Sequence, residues 1–223
     1  MRKRPASNPR GRGPSVEKTT LTRQAIVAAA IDIFLARGFS QTRMADIAVR
    51  AKVSKGLLYK YFADKETMFE SAIRELALEP LQRFEDFYPE AHESCRNFLL
   101  RTGPRLIRNF STSKRAAMIR LVLAEGARFP RIGEAYRRVA LEPLWEAIAR
   151  VVRLAEERGE LRGDALVRFP RLLTAPALFG AISEHILQDR KAPASDKMFV
   201  AMVEAMFAEG DGNMRRPSVR LTG

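Results

Sequence analysis

Few residues in this chain are of a type that could carry a reaction. His92 and Cys95 stand three apart with Glu93 between them, close enough on one helical turn to share a metal ion. Metal sites draw on three or four protein ligands, and no second His or Cys lies near in the sequence, so neither a metal nor a cofactor is expected. His185 falls near the end of a helical pattern, in Ser183-Glu184-His185-Ile186, where capping or an interface is its expected role. A nucleophile needs a base oriented by a third group, and two distant histidines offer no such triad. No Gly-Lys-Ser/Thr loop is present for nucleotide phosphates, and Gly11-Arg12-Gly13 follows no strand. An enzyme is not expected. Arg101, Arg105 and Arg108 could line an anion-binding cavity. A continuous helix would set them opposite Leu99, Leu106 and Phe110, on the solvated face, while a kink at Gly103-Pro104 weakens that angular argument and keeps a ligand role for the three open.

The remaining chemistry is that of the cations. Lys and Arg number 39 against 26 Asp and Glu, a net charge of +13. Residues 1–62 hold 13 basic and 3 acidic side chains, and the rest of the chain is nearly balanced. Positive charge concentrated at one end suits a polyanion, either nucleic acid or an anionic membrane surface. The longest apolar run, Leu172 to Ile182, is interrupted by Thr174 and Pro176 and is shorter than the roughly 18 residues of a membrane span, so no membrane is expected. The opening MRKRPASNPRGRGPS lacks the apolar stretch of a secretory signal. Cys95 is the only cysteine, which excludes an internal disulfide and fits a reducing, cytoplasmic setting.

The elements that must position these cations read as helices throughout. Residues 1–18 are rich in Pro, Gly and Lys/Arg and nearly free of apolar side chains, which predicts a disordered basic arm. Ile26, Ala30, Ile33 and Phe34 then recur on one helical face, starting after Thr22 as N-cap and stopping at Gly38. Ile47, Ala48 and Ala51 mark a short second helix. Ser54 caps a third running to about Tyr61, and Asp64 caps a longer fourth. Beyond Pro80, helical pieces are expected near 93–110, 114–127, 131–158, 164–188 and 195–208, with kinks at prolines 104, 143, 170 and 176 and a frayed tail over 210–223.

Two short helices joined at about residues 52–54, the second exposed and polar, suit a helix-turn-helix whose second helix enters a major groove. Over residues 21–70 the chain resembles the TetR family of transcriptional regulators. The resemblance rests on Gly38-Phe39, Thr42, Ile47-Ala48, Val53-Ser54-Lys55-Gly56, Leu58-Tyr59, Tyr61-Phe62 and Lys65-Glu66 at fixed spacing. It implies an all-α fold, with a three-helix DNA-binding domain at 19–64 and a helical ligand-binding and dimerisation domain at 65–209.

Physical reasoning assigns Ile47, Ala48, Ala51, Val53 and Leu58 to a small core closed by Phe34 and Phe62. Thr42 and Ser54, each at a helix entrance, can offer a hydroxyl and a helix amide to phosphate oxygens. Gly56 leaves room for close approach to DNA. The expected DNA-binding set is Thr42, Arg43, Ser54, Lys55, Gly56, Leu57, Tyr59, Lys60, Tyr61 and Lys65, of which the resemblance puts Lys60, Tyr61 and Lys65 mainly on the sugar-phosphate backbone. Two positions depart from the family pattern. Lys52 stands where glycine is usual in the turn and must take a left-handed conformation or alter the turn. Leu57 stands where a hydrogen-bonding residue is frequent and can touch a thymine methyl but pair with no base edge.

Phe84, Phe87, Tyr88, Phe98, Phe110, Met118, Tyr136, Trp145 and Phe169, with Arg105, are the candidates for a mostly apolar effector cavity, although singly each is a core residue. The resemblance further implies that helices within about 164–208 pair with their twins, with Leu178, Phe179, Ile182, Met202 and Met206 at the interface. The expected partners are a palindromic double-stranded DNA operator, a second copy of the chain and a small apolar or amphipathic effector, acting on a regulator that is more often a repressor. An architectural nucleic-acid binder without a ligand switch is the competing reading.

Overall fold

The structure, a computed structural model, describes residues 16–208 other than 86, 112, 186 and 190, and only the backbone of residues 16, 77–85, 110, 111 and 185. Among the described residues every element is helical, and the one β-type pairing is an isolated bridge between Leu161 and Phe207. The chain divides into two compact units, the first running through Ala72 and the second starting at Ile73.

The first unit is built on α1 (Val16–Gln41), α2 (Met44–Arg50), α3 (Lys55–Tyr61) and the start of α4 (Lys65–Glu85). Helix α1 begins at Val16, ahead of the expected N-cap, and the Thr22 hydroxyl donates back to the Lys18 carbonyl at 2.7 Å, inside the helix. Residues 16–18 therefore belong to α1, while residues 1–15 of the expected arm and the expected tail lie outside the described residues. Gly38 breaks α1 with φ 80°, a backbone state that costs glycine nothing. Beyond it Phe39 turns back into a cluster with Phe34 and Phe69, at ring-centroid distances of 5.8 and 5.3 Å, all three rings fully buried. Met68, Phe69 and Ala72 are also fully buried, which carries the first unit past the boundary expected at residue 64. By length and composition alone, Glu17–Gln41 would pass as a membrane span. Here that helix is the centre of a packed unit, with Ile26, Ala30 and Phe34 fully buried.

The second unit contains α5 (Cys95–Ser111), α6 (Lys114–Glu125), α7 (Pro130–Tyr136), a π turn at Arg137–Leu141, α8 (Glu142–Glu157), α9 (Ala165–Arg168), a 3-10 turn at Pro170–Thr174, α10 (Ala175–His185) and α11 (Ser195–Met206). The single piece expected over 164–188 is broken in two because Phe169 precedes proline and is held out of the helical region, at φ −134° and ψ 65°. The π turn directly precedes the α8 proline Pro143, whose ring in a regular α-helix would press on the Val139 carbonyl. Phe98, Leu99, Val151, Val152, Phe199, Val203 and Phe207 form the core. Helices α5 and α11 lie close because Gly103 carries no side chain: a Cβ there would collide with the Phe199 ring. At one end of that contact Arg108 donates to Asp196 at 2.7 Å, holding the Asp196 carboxyl below its usual pKa range. The C-terminus of α11 is tied to the turn after α8 by Arg162 N–H to the Met206 carbonyl and Ala208 N–H to the Glu160 carbonyl, both 2.8 Å.

Candidate nucleic-acid interface

The turn between α2 and α3 follows from how α2 ends. Val53 N–H reaches back to the Ala48 carbonyl at 3.0 Å and Lys52 N–H to the Val49 carbonyl at 3.1 Å. This pair of bonds is a Schellman closure, which places the residue after the C-cap in the left-handed region. That residue is Lys52, at φ 57°, so the chain keeps the turn geometry and carries the cost of a Cβ there. Lys52→Gly should raise the stability of the first unit by about 0.5–1 kcal/mol, read as a higher urea midpoint. An unchanged or lower midpoint would mean that the lysine stem makes compensating contacts.

Ser54 then caps α3, its Oγ accepting from Leu57 N–H at 3.2 Å. The cap uses an oxygen lone pair and leaves the hydroxyl proton for an outside acceptor. Leu58 is fully buried beside Ile47, Ala48 and Phe62, which fixes the angle of α3 against α2. With Leu58 inward, Lys55, Gly56, Tyr59 and Lys60 are exposed, while Leu57 and Tyr61 are half-buried. Tyr59 is 52% exposed, with its aromatic face unused by the core. A Cβ at Gly56 would meet nothing within 4 Å, so no packing inside the chain calls for glycine in that helical position.

The electrostatics favour an anion along this face. From Ile47 to Ala63 there is no carboxylate, against Arg50, Lys52, Lys55 and Lys60. Of the acids around it, the Asp64 carboxylate accepts from Thr67 N–H at 2.7 Å, while Asp32 pairs with Arg50 and Asp46 with Arg37, each at 3.0 Å. Such exposed pairs contribute at most about 1 kcal/mol each. They also tie α2 to α1 and rim a groove of about 460 Å³ beside the 79%-exposed Val49, a feature that no local sequence pattern announces.

Two expected contacts look different in place. Thr42 is 2% exposed and its hydroxyl donates to the Gly38 carbonyl at 2.6 Å, so it closes the end of α1 instead of facing outward as expected. Arg43, not Thr42, is the exposed N-cap of α2. The Lys65 ammonium donates to the Phe39 and Ser40 carbonyls at 2.8 and 3.4 Å.

In the second unit the cavity candidates scatter. Phe98 and Met118 are core residues, as is Tyr136, whose phenol pKa burial pushes up. Phe87 packs edge-on against Phe98, at 4.8 Å between centroids. Tyr88 and Phe169 are exposed, Arg105 is exposed, and Trp145 is covered by the Arg171 guanidinium, 3.9 Å from its ring centroid. The side chains of Phe84 and Phe110 lie outside the described residues. A groove of about 230 Å³ between α5 and α11 is lined by Pro104, Arg108, Asp196 and Lys197, and by none of the aromatic set. Of the arginines suggested for an anion, Arg101 is bound bidentately by Glu93 at 2.8 Å, and Arg108 is held by Asp196. Among the described residues no three His, Cys, Asp or Glu side chains converge as metal ligands, and His92 is exposed while Cys95 is buried. Of the proposed interface residues, Leu178 and Phe179 are 48% and 45% exposed. Ile182 is half-buried, and Met202 and Met206 are half-buried against the core.

Residues 26–72 match the family described as bacterial regulatory proteins, tetR family, and residues 89–206 match the tetracyclin repressor-like C-terminal domain. The chain belongs to the TetR family. The HTH-type transcriptional regulator YdeS of Bacillus subtilis is 27% identical over 141 residues, covering 63% of this chain and 68% of the relative. UidR of Escherichia coli K12 is 25% identical over 174 residues, 78% of this chain and 86% of that one. Among solved structures, a TetR-family regulator from Mesorhizobium loti superposes with a TM-score of 0.68 at 22% identity, covering 84% of this chain and 96% of that one. FadR of Bacillus subtilis in complex with stearoyl-CoA gives 0.64 at 18%, covering 81% and 96%. This TetR-family chain is thus a helix-turn-helix transcriptional regulator, ligand-responsive by family, and not an enzyme. Its α2–α3 pair lies within residues 26–72, the segment that matches the tetR family of bacterial regulatory proteins.

Proposed function

We propose that this regulator is a cytoplasmic homodimeric repressor that binds a palindromic DNA operator through α3 and leaves it when a small apolar or amphipathic molecule binds the second unit. The observation that carries the reading is the outer face of α3. Lys55, Gly56, Tyr59 and Lys60 face outward from a helix anchored by Leu58 on a stretch without carboxylates. Lys55 and Tyr59 supply contacts to bases and phosphates, while Lys60, Tyr61, Arg43, Lys52 and the Ser54 hydroxyl hold the backbone. Two α3 helices about one DNA turn apart, roughly 34–36 Å, would read the two halves of a palindrome. Leu178 and Phe179 offer an apolar face for the twofold contact. The effector acts by differential affinity for a dimer whose α3 helices match the grooves and one whose helices do not.

The test is selection by the pure protein from a random duplex pool. A palindrome is expected, and a pool without preference would favour the architectural reading. Effector and operator must weaken each other's binding by one factor. Molecules that raise the melting temperature of the protein without shifting operator affinity would remove the switch from this proposal.

Gly56 supplies a sharper test. Gly56→Ala should stabilise the folded chain by about 0.5–1 kcal/mol, since alanine is the better helix former and meets open space. The same methyl should weaken operator binding by about tenfold, about 1.4 kcal/mol, if DNA backbone approaches that Cα. Gain of stability with unchanged affinity would place the DNA elsewhere.

A further inference from the structure

We infer that Lys65 is a positioning residue for DNA recognition, acting through the segment 38–42 that leads into α2 and not through a phosphate. The inference rests on the DNA-binding reading given above. Lys65 opens α4, where a cation is opposed by the positive end of the helix dipole. Its ammonium is instead turned toward the carbonyl end of α1, donating to the Phe39 and Ser40 carbonyls at 2.8 and 3.4 Å. Those groups belong to the last turn of α1, beyond the break at Gly38, where the Phe39 carbonyl also accepts from Thr42 N–H at 3.3 Å. The same ammonium sits 4.4 Å from the centroid of the Phe39 ring, itself packed on Phe69 of α4. Cation and ring together fix where the chain leaves α1. Thr42 completes the closure through Gly38, and Arg43 follows as the N-cap of α2 without a side-chain cap bond of its own. The angle at which α2 presents α3 therefore depends on a turn that Lys65 holds.

The experiment compares wild type with Lys65→Met, which keeps the stem over Phe39 and removes the donors, on the operator selected by the wild-type protein. Affinity is measured across a salt series at a temperature where circular dichroism shows both proteins folded. A positioning role lowers affinity about tenfold at every salt concentration and leaves the slope of log affinity against log salt parallel to wild type. A direct phosphate contact lowers that slope by about 0.9 per phosphate, close to two for a dimer, and would overturn the inference. A lower melting temperature with unchanged affinity would overturn it too, by reducing Lys65 to a structural role. If Lys65→Met does not fold, Lys65→Gln, whose amide keeps one donor, is read by the same criteria. Failure of the wild-type protein to select any duplex would count against the functional reading, not against the geometry at Lys65.

Discussion

Tyr59→Ala should weaken specific operator binding by about 1–3 kcal/mol while leaving the fold intact, and Lys55→Ala should do the same. The expectation separates cleanly because both side chains are spare to the protein. Tyr59 is 52% exposed on α3, while the neighbouring Leu58 is the fully buried anchor, so truncating Tyr59 opens no cavity in the core. Lys55 is exposed at the first position of α3, where a cation gains nothing from the helix dipole and is better explained by an outside anion. Lys114→Ala, at the start of α6 in the other unit, is the control and should have little effect. Titration of each variant against the selected operator and a scrambled duplex decides the matter. Equal losses from all three, on both duplexes, would reduce the binding to nonspecific electrostatics.

Splitting the dimer is the second large effect. Leu178→Glu or Phe179→Glu should lower the dimerisation constant by on the order of a hundredfold or more, because each places an uncompensated charge in an apolar contact on both subunits. The two side chains are 48% and 45% exposed in the isolated chain, so the substitutions spare the monomer's own core and any loss is read as association. Cys95→Ser should leave the dimer untouched under oxidising and reducing conditions alike. Burial, and then the Glu160 carboxylate, push the Cys95 thiol up to about 12, so little of the thiolate needed for disulfide exchange exists near neutral pH. Sedimentation showing an unchanged dimer in both glutamate variants would move the interface off this face of α10.

What could be read from sequence was whatever is local and periodic. The 3.6-residue recurrence of Ile26, Ala30 and Phe34 and the capping serine before α3 announce themselves within one or two turns and stand in the structure, while the stop expected at Gly38 is a break across which α1 resumes to Gln41. Even the unusual Lys52 could be posed as a choice, and the two bonds from Val53 and Lys52 show how the chain made it. Contacts between distant segments were not legible. Lys65 looks like any exposed cation at a helix start until the carbonyls of Phe39 and Ser40 are placed beneath it. Thr42 reads as a cap by type, yet the break at Gly38 turns its hydroxyl back toward α1. In the second unit, aromatic type alone cannot separate Phe98, buried in the core, from Phe169, which stands exposed before a proline.

The seat of the Phe199 ring on Gly103 makes positions 103 and 199 a coupled pair in the descent of this chain. A methyl at 103 would overpack the contact at a cost of about 1–3 kcal/mol unless the ring yields. Ala at 103 should therefore be better tolerated with a smaller residue at 199, the two exchanges together milder than Ala at 103 alone. Close descendants should carry glycine with a ring, or a larger residue with a smaller partner, and rarely mix them. Transplanting α11 from one such protein into another would have to preserve this pairing as well as the Arg108–Asp196 contact.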